Sequence, residues 1–167
     1  MDLGGTKTEI AVLDAQRVTV WRQRVATPRH DYREIVHTVA QLVAQARQQL
    51  NLARDVPVGI GIPGCLDALT QRVRGANTQA LNGQPLLHDL TQQLGCRVEV
   101  DNDANCLALS EAVDGAAAGA EVTFAAILGT GCGAGLALGT RAWRGRHGLA
   151  GEWGHNPLPW PTHEELD

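Results

Sequence analysis

Apolar and polar residues alternate from Val98 to Asn102, and from Ala104 onward Leu107, Ala108, Glu111 and Ala112 recur at helical spacing. This change of period predicts a strand that runs straight into a helix. Three polar residues, Asp101, Asn102 and Asp103, fill the switch. Such a junction leaves side chains at the carboxyl edge of a sheet, where open α/β sheets bind ligands. Asn and Asp are also preferred helix N-caps. Asp103 can therefore be read as a cap or as part of a site, and this stretch alone leaves both readings open.

The remaining pattern predicts an α/β chain. Asp2-Leu3 reads as the end of a short strand, followed by a strand over Ile10 to Leu13 and another over Val18 to Val25. The Gly4-Gly5 pair between the first two is a common hairpin turn. It would equally suit a loop whose bare N–H groups, with Thr6 and Lys7, hold phosphate. Asp31 and Glu34 form a capping box ahead of a long helix whose inner face is Ile35, Val36, Val39, Leu42, Val43, Ala46 and Leu50. Val56 to Ile62 predicts a buried strand. Its end, Gly59 to Gly64, fits GxGxxG, but a dinucleotide site needs a helix to start there. Pro63 and the turn-like Cys65-Leu66-Asp67 do not begin one, so the glycines are read as allowing close backbone approach.

Val73 to Asn77 predicts a short strand, Asn82-Gly83 a turn, and Pro85 the first position of a helix running to Leu94, with Gly95 as its stop. Val122 to Leu128 predicts another apolar strand. It leads into the glycine-rich 129–135, and strand-like residues resume over Leu136 to Leu138. Two glycine hairpins, one near each end and both carrying threonine, suit opposite walls of a cleft that grips a polyphosphate. Near the end of the chain Glu152 and His155 stand three apart in a glycine-rich segment unsuited to a helix.

Composition narrows the function classes. The 167 residues are 44% hydrophobic and carry a net charge of −4, with few aromatics. Without a basic patch or stacking platforms, nucleic acid is excluded as the main partner. No leader and no membrane-length apolar run are evident, so a cytoplasmic protein is expected. Cys65, Cys96, Cys106 and Cys132 show no CxxC spacing, which argues against a zinc cluster or a disulfide framework and for buried thiols. The only lysine is Lys7, inside the first glycine hairpin.

Together these motifs resemble the ROK family of bacterial sugar kinases, which have the actin/hexokinase-type ribonuclease H-like fold. The carrying segments are DLGGTK at Asp2 to Lys7, GIPG at Gly61 to Gly64, NDAN at Asn102 to Asn105, GTGCGAG at 129–135 and AGEWGH at Ala150 to His155. The fructokinase (manno-fructokinase) branch looks nearest, on the stretches 75–85, 102–119 and 151–160. The resemblance implies a small domain over 1–118, with the first phosphate loop and the catalytic aspartate, and the opening hairpins of a large domain over 119–167.

It implies that Asp103 is the general base for a hexose hydroxyl attacking the γ-phosphate of ATP, with fructose favoured. Asn77, Asn102, Glu152 and His155 would hold the sugar, with Gly64 nearby. Asp2, Gly4, Gly5, Thr6 and Lys7 would form one nucleotide loop, Asp2 also placing Mg²⁺, and Thr130, Gly131 and Gly133 the other. A homodimer is expected as well. Relatives of this type follow the GEWGH segment with a cysteine-rich zinc motif that has His155 as its fourth ligand. No such cysteines follow here, so zinc is expected in a full-length protein but not in this chain, which reads as a fragment of little activity. Sugar-responsive ROK regulators and N-acetylglucosamine or glucose kinases are the alternatives within the resemblance.

Overall fold

The computed structural model describes residues 1–128, 132–148, 150–157, 159–160 and 162, without the side chain of His155. Strand β1 (Asp2–Leu3) turns into β2 (Lys7–Leu13), and β3 (Thr19–Ala26) returns antiparallel to it. Helix α1 (Tyr32–Leu50) crosses to β4 (Val58–Ile62). A small hairpin, β5 (Cys65–Leu66) and β6 (Val73–Arg74), a 3₁₀ turn over Gln79–Leu81 and helix α2 (Leu86–Leu94) then lead to β7 (Val98–Asn102). These strands make one five-stranded sheet in the order β3-β2-β1-β4-β7, with β1, β4 and β7 parallel. An antiparallel meander continued by two parallel strands is the ribonuclease H-like arrangement.

Local chemistry sets the helix ends. Asp31 accepts from the Arg33 and Glu34 N–H groups at 2.7 and 3.2 Å. Its own N–H goes to Pro28 rather than back to Glu34, so the expected capping box is one-sided. α1 stops at Asn51, which takes the left-handed conformation that Asn tolerates. α2 begins one residue later than its sequence suggests, with Pro85 just outside, and Gly95 ends it at φ 61°. Ile35, Val39, Leu42 and Leu90 of the two helices pack with Leu3, Ile60, Ile62, Val98 and Val100 of the sheet in one core.

Helix α3 (Asp103–Asp114) leaves β7 without a break. A second sheet follows, in the order β10-β9-β8, built from β8 (Val122–Leu128), β9 (Cys132–Leu138) and β10 (Arg141–Ala142). The glycine run therefore contributes to a strand earlier than predicted: Gly133 pairs with Ile127 and Gly135 with Ala125. α3 packs against this second sheet through Ala108 and Ala112 on Ala137. Gly135 lies so close that a Cβ there would meet the carbonyl of Ala104 and sit 2.8 Å from the Asn105 nitrogen. On the other face of β8, Val122, Phe124 and Leu128 are exposed.

Among the described residues no helix is long and apolar enough to cross a membrane. All four cysteines are free, and only Cys65 is fully buried. Gly64 is followed by the short strand β5, not by a helix, so the dinucleotide reading of GxGxxG stays rejected.

Candidate active site

The switch from β7 to α3 divides its labour among three side chains. Asn102 is the N-cap: its Oδ1 accepts from Ala104 and Asn105 N–H at 2.9 and 3.2 Å. Its Nδ2 donates to the carbonyl of Gly64 at 3.1 Å. Asn102 is 7% exposed, so most of its polar capacity is spent inside the protein, leaving at most one amide N–H for a ligand. The cap reading of Asp103 is thereby corrected. Asp103 occupies the first helical position, exposed, with one oxygen accepting from Ala104 N–H at 2.8 Å. Burial by the protein behind it, and then the like charge of Asp2, push its carboxyl above the ordinary range, against the pull of the Ala104 N–H. A carboxylate with a raised pKa at a sheet edge is equipped to accept a proton.

Gly61 connects the two acids. In β1 and β4, Asp2 pairs with Gly61, and a Cβ on Gly61 would sit 3.5 Å from the Asp103 Cα. Cys106 lies beside them at 3.6 Å from the same Cβ position. Burial, then the charge of Asp101, raise its thiol pKa to about 11, so it stays protonated and is no nucleophile.

Gly64 holds a conformation that few other residues adopt, φ 131°, with its bare Cα against Arg74 and Ala76. Ala76 is in turn clamped from both sides by Asn82, which accepts from its N–H and donates to its carbonyl, each at 2.9 Å. The next residue, Asn77, is exposed toward solvent. Asn82 looked like a plain turn residue in the sequence. It fixes the backbone that presents Asn77.

The Gly4–Thr6 turn is tied to the end of β3. Gly4 N–H donates to Lys7 O, and Thr27 N–H to Thr6 O, each at 3.0 Å. Thr27 Oγ1 donates to Gly4 O and meets Thr8 Oγ1, each at 2.8 Å. Thr6 and Lys7 are left exposed. Thr27 carries no local signal, because its partners lie across a strand pair. Thr27→Val orphans the Gly4 carbonyl and the buried Thr8 hydroxyl, which should cost about 1–3 kcal/mol. The expected result is a lower urea midpoint with a nucleotide KM that rises more than the sugar KM, read by equilibrium unfolding and steady-state kinetics. Equal rises in both would contradict the assignment to the loop.

The second hairpin reaches the same edge. Arg144 Nε and Nη2 both bond one oxygen of Asp101, at 2.9 and 2.8 Å, and Arg74 bonds the His147 carbonyl. A Cβ on Gly151 would sit 2.9 Å from the carbonyl carbon of Ala134, so the AGEWGH segment lies directly on β9. Glu152 is half-buried there, at the start of a 3₁₀ turn over Trp153–His155. The sequence signalled neither Arg144 nor Asp101 as a pair. Gly133 is placed on β9 rather than in a loop, while Thr130, Gly131 and the His155 side chain lie outside the described residues. The structure thus gathers Asp2, Gly64, Asn102 and Asp103 around one edge and brings the Glu152 segment to it through β9.

Comparison with known proteins places the chain among sugar kinases of one family. N-acetyl-D-glucosamine kinase of Pectobacterium carotovorum subsp. carotovorum (strain PC1) is 45% identical over 158 residues, 95% of this chain and 51% of that protein. The kinase of the same name from Vibrio cholerae serotype O1 is 44% identical over the same share of this chain and 52% of its own. A ROK family glucokinase from Streptomyces griseus, crystallised with glucose and AMPPNP, superposes with a TM-score of 0.80 at 34% identity. That match covers 95% of this chain and 49% of the glucokinase. The chain spans about half the length of the curated relatives it matches, and neither of these two is a fructokinase. With residues 1–165 also matching the family as a whole, the chain belongs to the ROK family.

Proposed function

We propose that this chain supplies the base-bearing and sugar-holding half of an ATP-dependent hexose kinase, with N-acetylglucosamine as the preferred sugar. The single observation that carries the reading is the division of work at the β7–α3 junction. Asn102 caps the helix, so the exposed Asp103 carboxyl is not needed there. Its raised pKa suits a group that takes the proton of the attacking sugar hydroxyl. Asn77 and Glu152 would contact the sugar from opposite sides of the gap, with Asn102 and Asn82 holding the frame. His155 would add to them. Phosphoryl transfer asks for positioning and charge stabilisation more than for covalent chemistry, and a rigid polar frame provides the first.

The Gly4–Lys7 loop, with Thr130 and Gly131, would cradle the phosphates, and Gly133 would border the second loop. Asp2, an exposed hard-oxygen donor beside Asp103, fits Mg²⁺, which supplies charge neutralisation at the phosphates when bound. The sugar preference rests on the names of the relatives at 44–45% identity, and it replaces the fructose expected from the sequence stretches. A two-lobed division near residue 118 belongs to the same proposal, with α3 packing on the second sheet.

The test is a sugar panel with Mg-ATP and a coupled assay on the full-length protein. N-acetylglucosamine should give the highest kcat/KM, with glucose, mannose and fructose well below it. Phosphorylation of none of the four would overturn the kinase reading. A preference for fructose would restore the branch read from the sequence.

A further inference from the structure

Thr78 stands at the N-terminal cap position of the 3₁₀ turn over Gln79–Leu81, yet its side chain makes no capping bond. It is 4% exposed, and its hydroxyl is buried with no hydrogen-bond partner. A threonine at that position usually caps, and a buried hydroxyl left unpaired is costly. The direction it faces is informative. A Cβ built on Gly5 would lie 3.4 Å from Thr78 Oγ1, so the hydroxyl looks onto the Gly4–Thr6 loop, with only the side chain that glycine lacks between them. No ligand reaches an atom so enclosed. Its available partner is the backbone of the loop itself.

We propose that Thr78 is a positioning residue for the first phosphate loop: its hydroxyl bonds the loop backbone when polyphosphate draws that backbone into its working conformation. The inference rests on the kinase reading above. In the structure the loop is secured by Thr27 at the end of β3; the Thr78 hydroxyl beside Gly5 would add a second anchor. Thr78 directly follows Asn77, and Asn82 holds the peptide before them. The bond therefore ties the nucleotide loop to the segment that presents a sugar-contacting amide, and filling one side steadies the other.

The experiment uses the full-length kinase and two variants, Thr78→Val and Thr78→Ser. Valine keeps the volume and removes an unpaired hydroxyl, so the thermal midpoint without nucleotide should hold or rise. The KM for ATP should increase roughly 2- to 12-fold, the worth of one neutral hydrogen bond, and serine should restore it. An unchanged KM in the valine variant of an active enzyme overturns this inference alone. So does a raised KM that comes with a lowered midpoint and no rescue by serine, which is what a packing role gives. A wild-type protein that phosphorylates no sugar overturns the kinase reading, and this inference with it.

Discussion

Asp103→Asn should lower kcat by roughly 10²- to 10⁴-fold while the thermal midpoint holds or rises slightly. The two effects separate because the helix is capped by Asn102, whose bonds to Ala104 and Asn105 the substitution leaves in place. The pH dependence follows from the raised carboxyl of Asp103. A raised pKa means that the folded protein holds the proton more tightly than the unfolded chain does. Above that pKa the ionised carboxyl therefore costs folding free energy, and the cost disappears as the pH falls below the unfolded value. Any stability gain from asparagine should accordingly be widest above the raised pKa and absent in acid. In the wild type the acid limb of kcat/KM should lie above the ordinary carboxylate range, since only the ionised form accepts the hydroxyl proton. Melts across pH and a pH–rate profile measure both. Turnover surviving at more than a tenth of the wild-type rate would remove Asp103 from the chemistry.

Gly64→Ala should unfold the site and much of what surrounds it. The new methyl would lie 2.7 Å from Arg74 O, 2.8 Å from Ala76 N and 2.9 Å from Ala76 Cα, all backbone atoms, at a φ of 131°. Backbone strain and overpacking each cost about 1–3 kcal/mol, so a loss of roughly 2–6 kcal/mol is expected. That is a large share of the ~5–15 kcal/mol by which such domains are stable. The damage reaches function by two routes: the Gly64 carbonyl accepts from Asn102, and Ala76 leads into Asn77. A urea midpoint well below wild type, with a raised sugar KM in whatever folds, is the anticipated pair of results. A wild-type midpoint would show that the turn can relax around a methyl, and would withdraw the claim that it is rigid.

Where a signal lies within a few neighbouring residues, the sequence revealed it. Asp31 ahead of the Ile35–Val39–Leu42–Ala46 face marked α1, and Gly95 marked the end of α2. The switch of period at 101–103 marked the β7–α3 junction. Which of the polar residues there is the cap could not be read locally, because Asn and Asp are equally good caps and boundary residues are the hardest to place; the structure gives the cap to Asn102. The start of β9 was missed because Cys132 to Gly135 carries almost no strand-forming side chains; pairing with Ile127 and Ala125 extends the strand that far. Thr27 and Arg144 escaped notice for a different reason. Their partners lie 23 and 43 residues away, and no local pattern encodes a contact that only the folded sheet creates.

The buried apolar contact between α3 and the second sheet consists of methyl groups, those of Ala108, Ala112 and Ala137 with Ala125 beside them, and Gly135 brings one bare Cα against the Ala104 carbonyl. Contacts this thin have no long apolar side chains to rearrange, so on the proposed kinase reading they act as a spacer between the β9 side and Asp103. A larger residue there would push α3 and the second sheet apart. Since a 1 Å misplacement can cost about 100-fold in rate, a change four residues along the helix from the Ala104 carbonyl would act on the chemistry as a shim does on a machined fit.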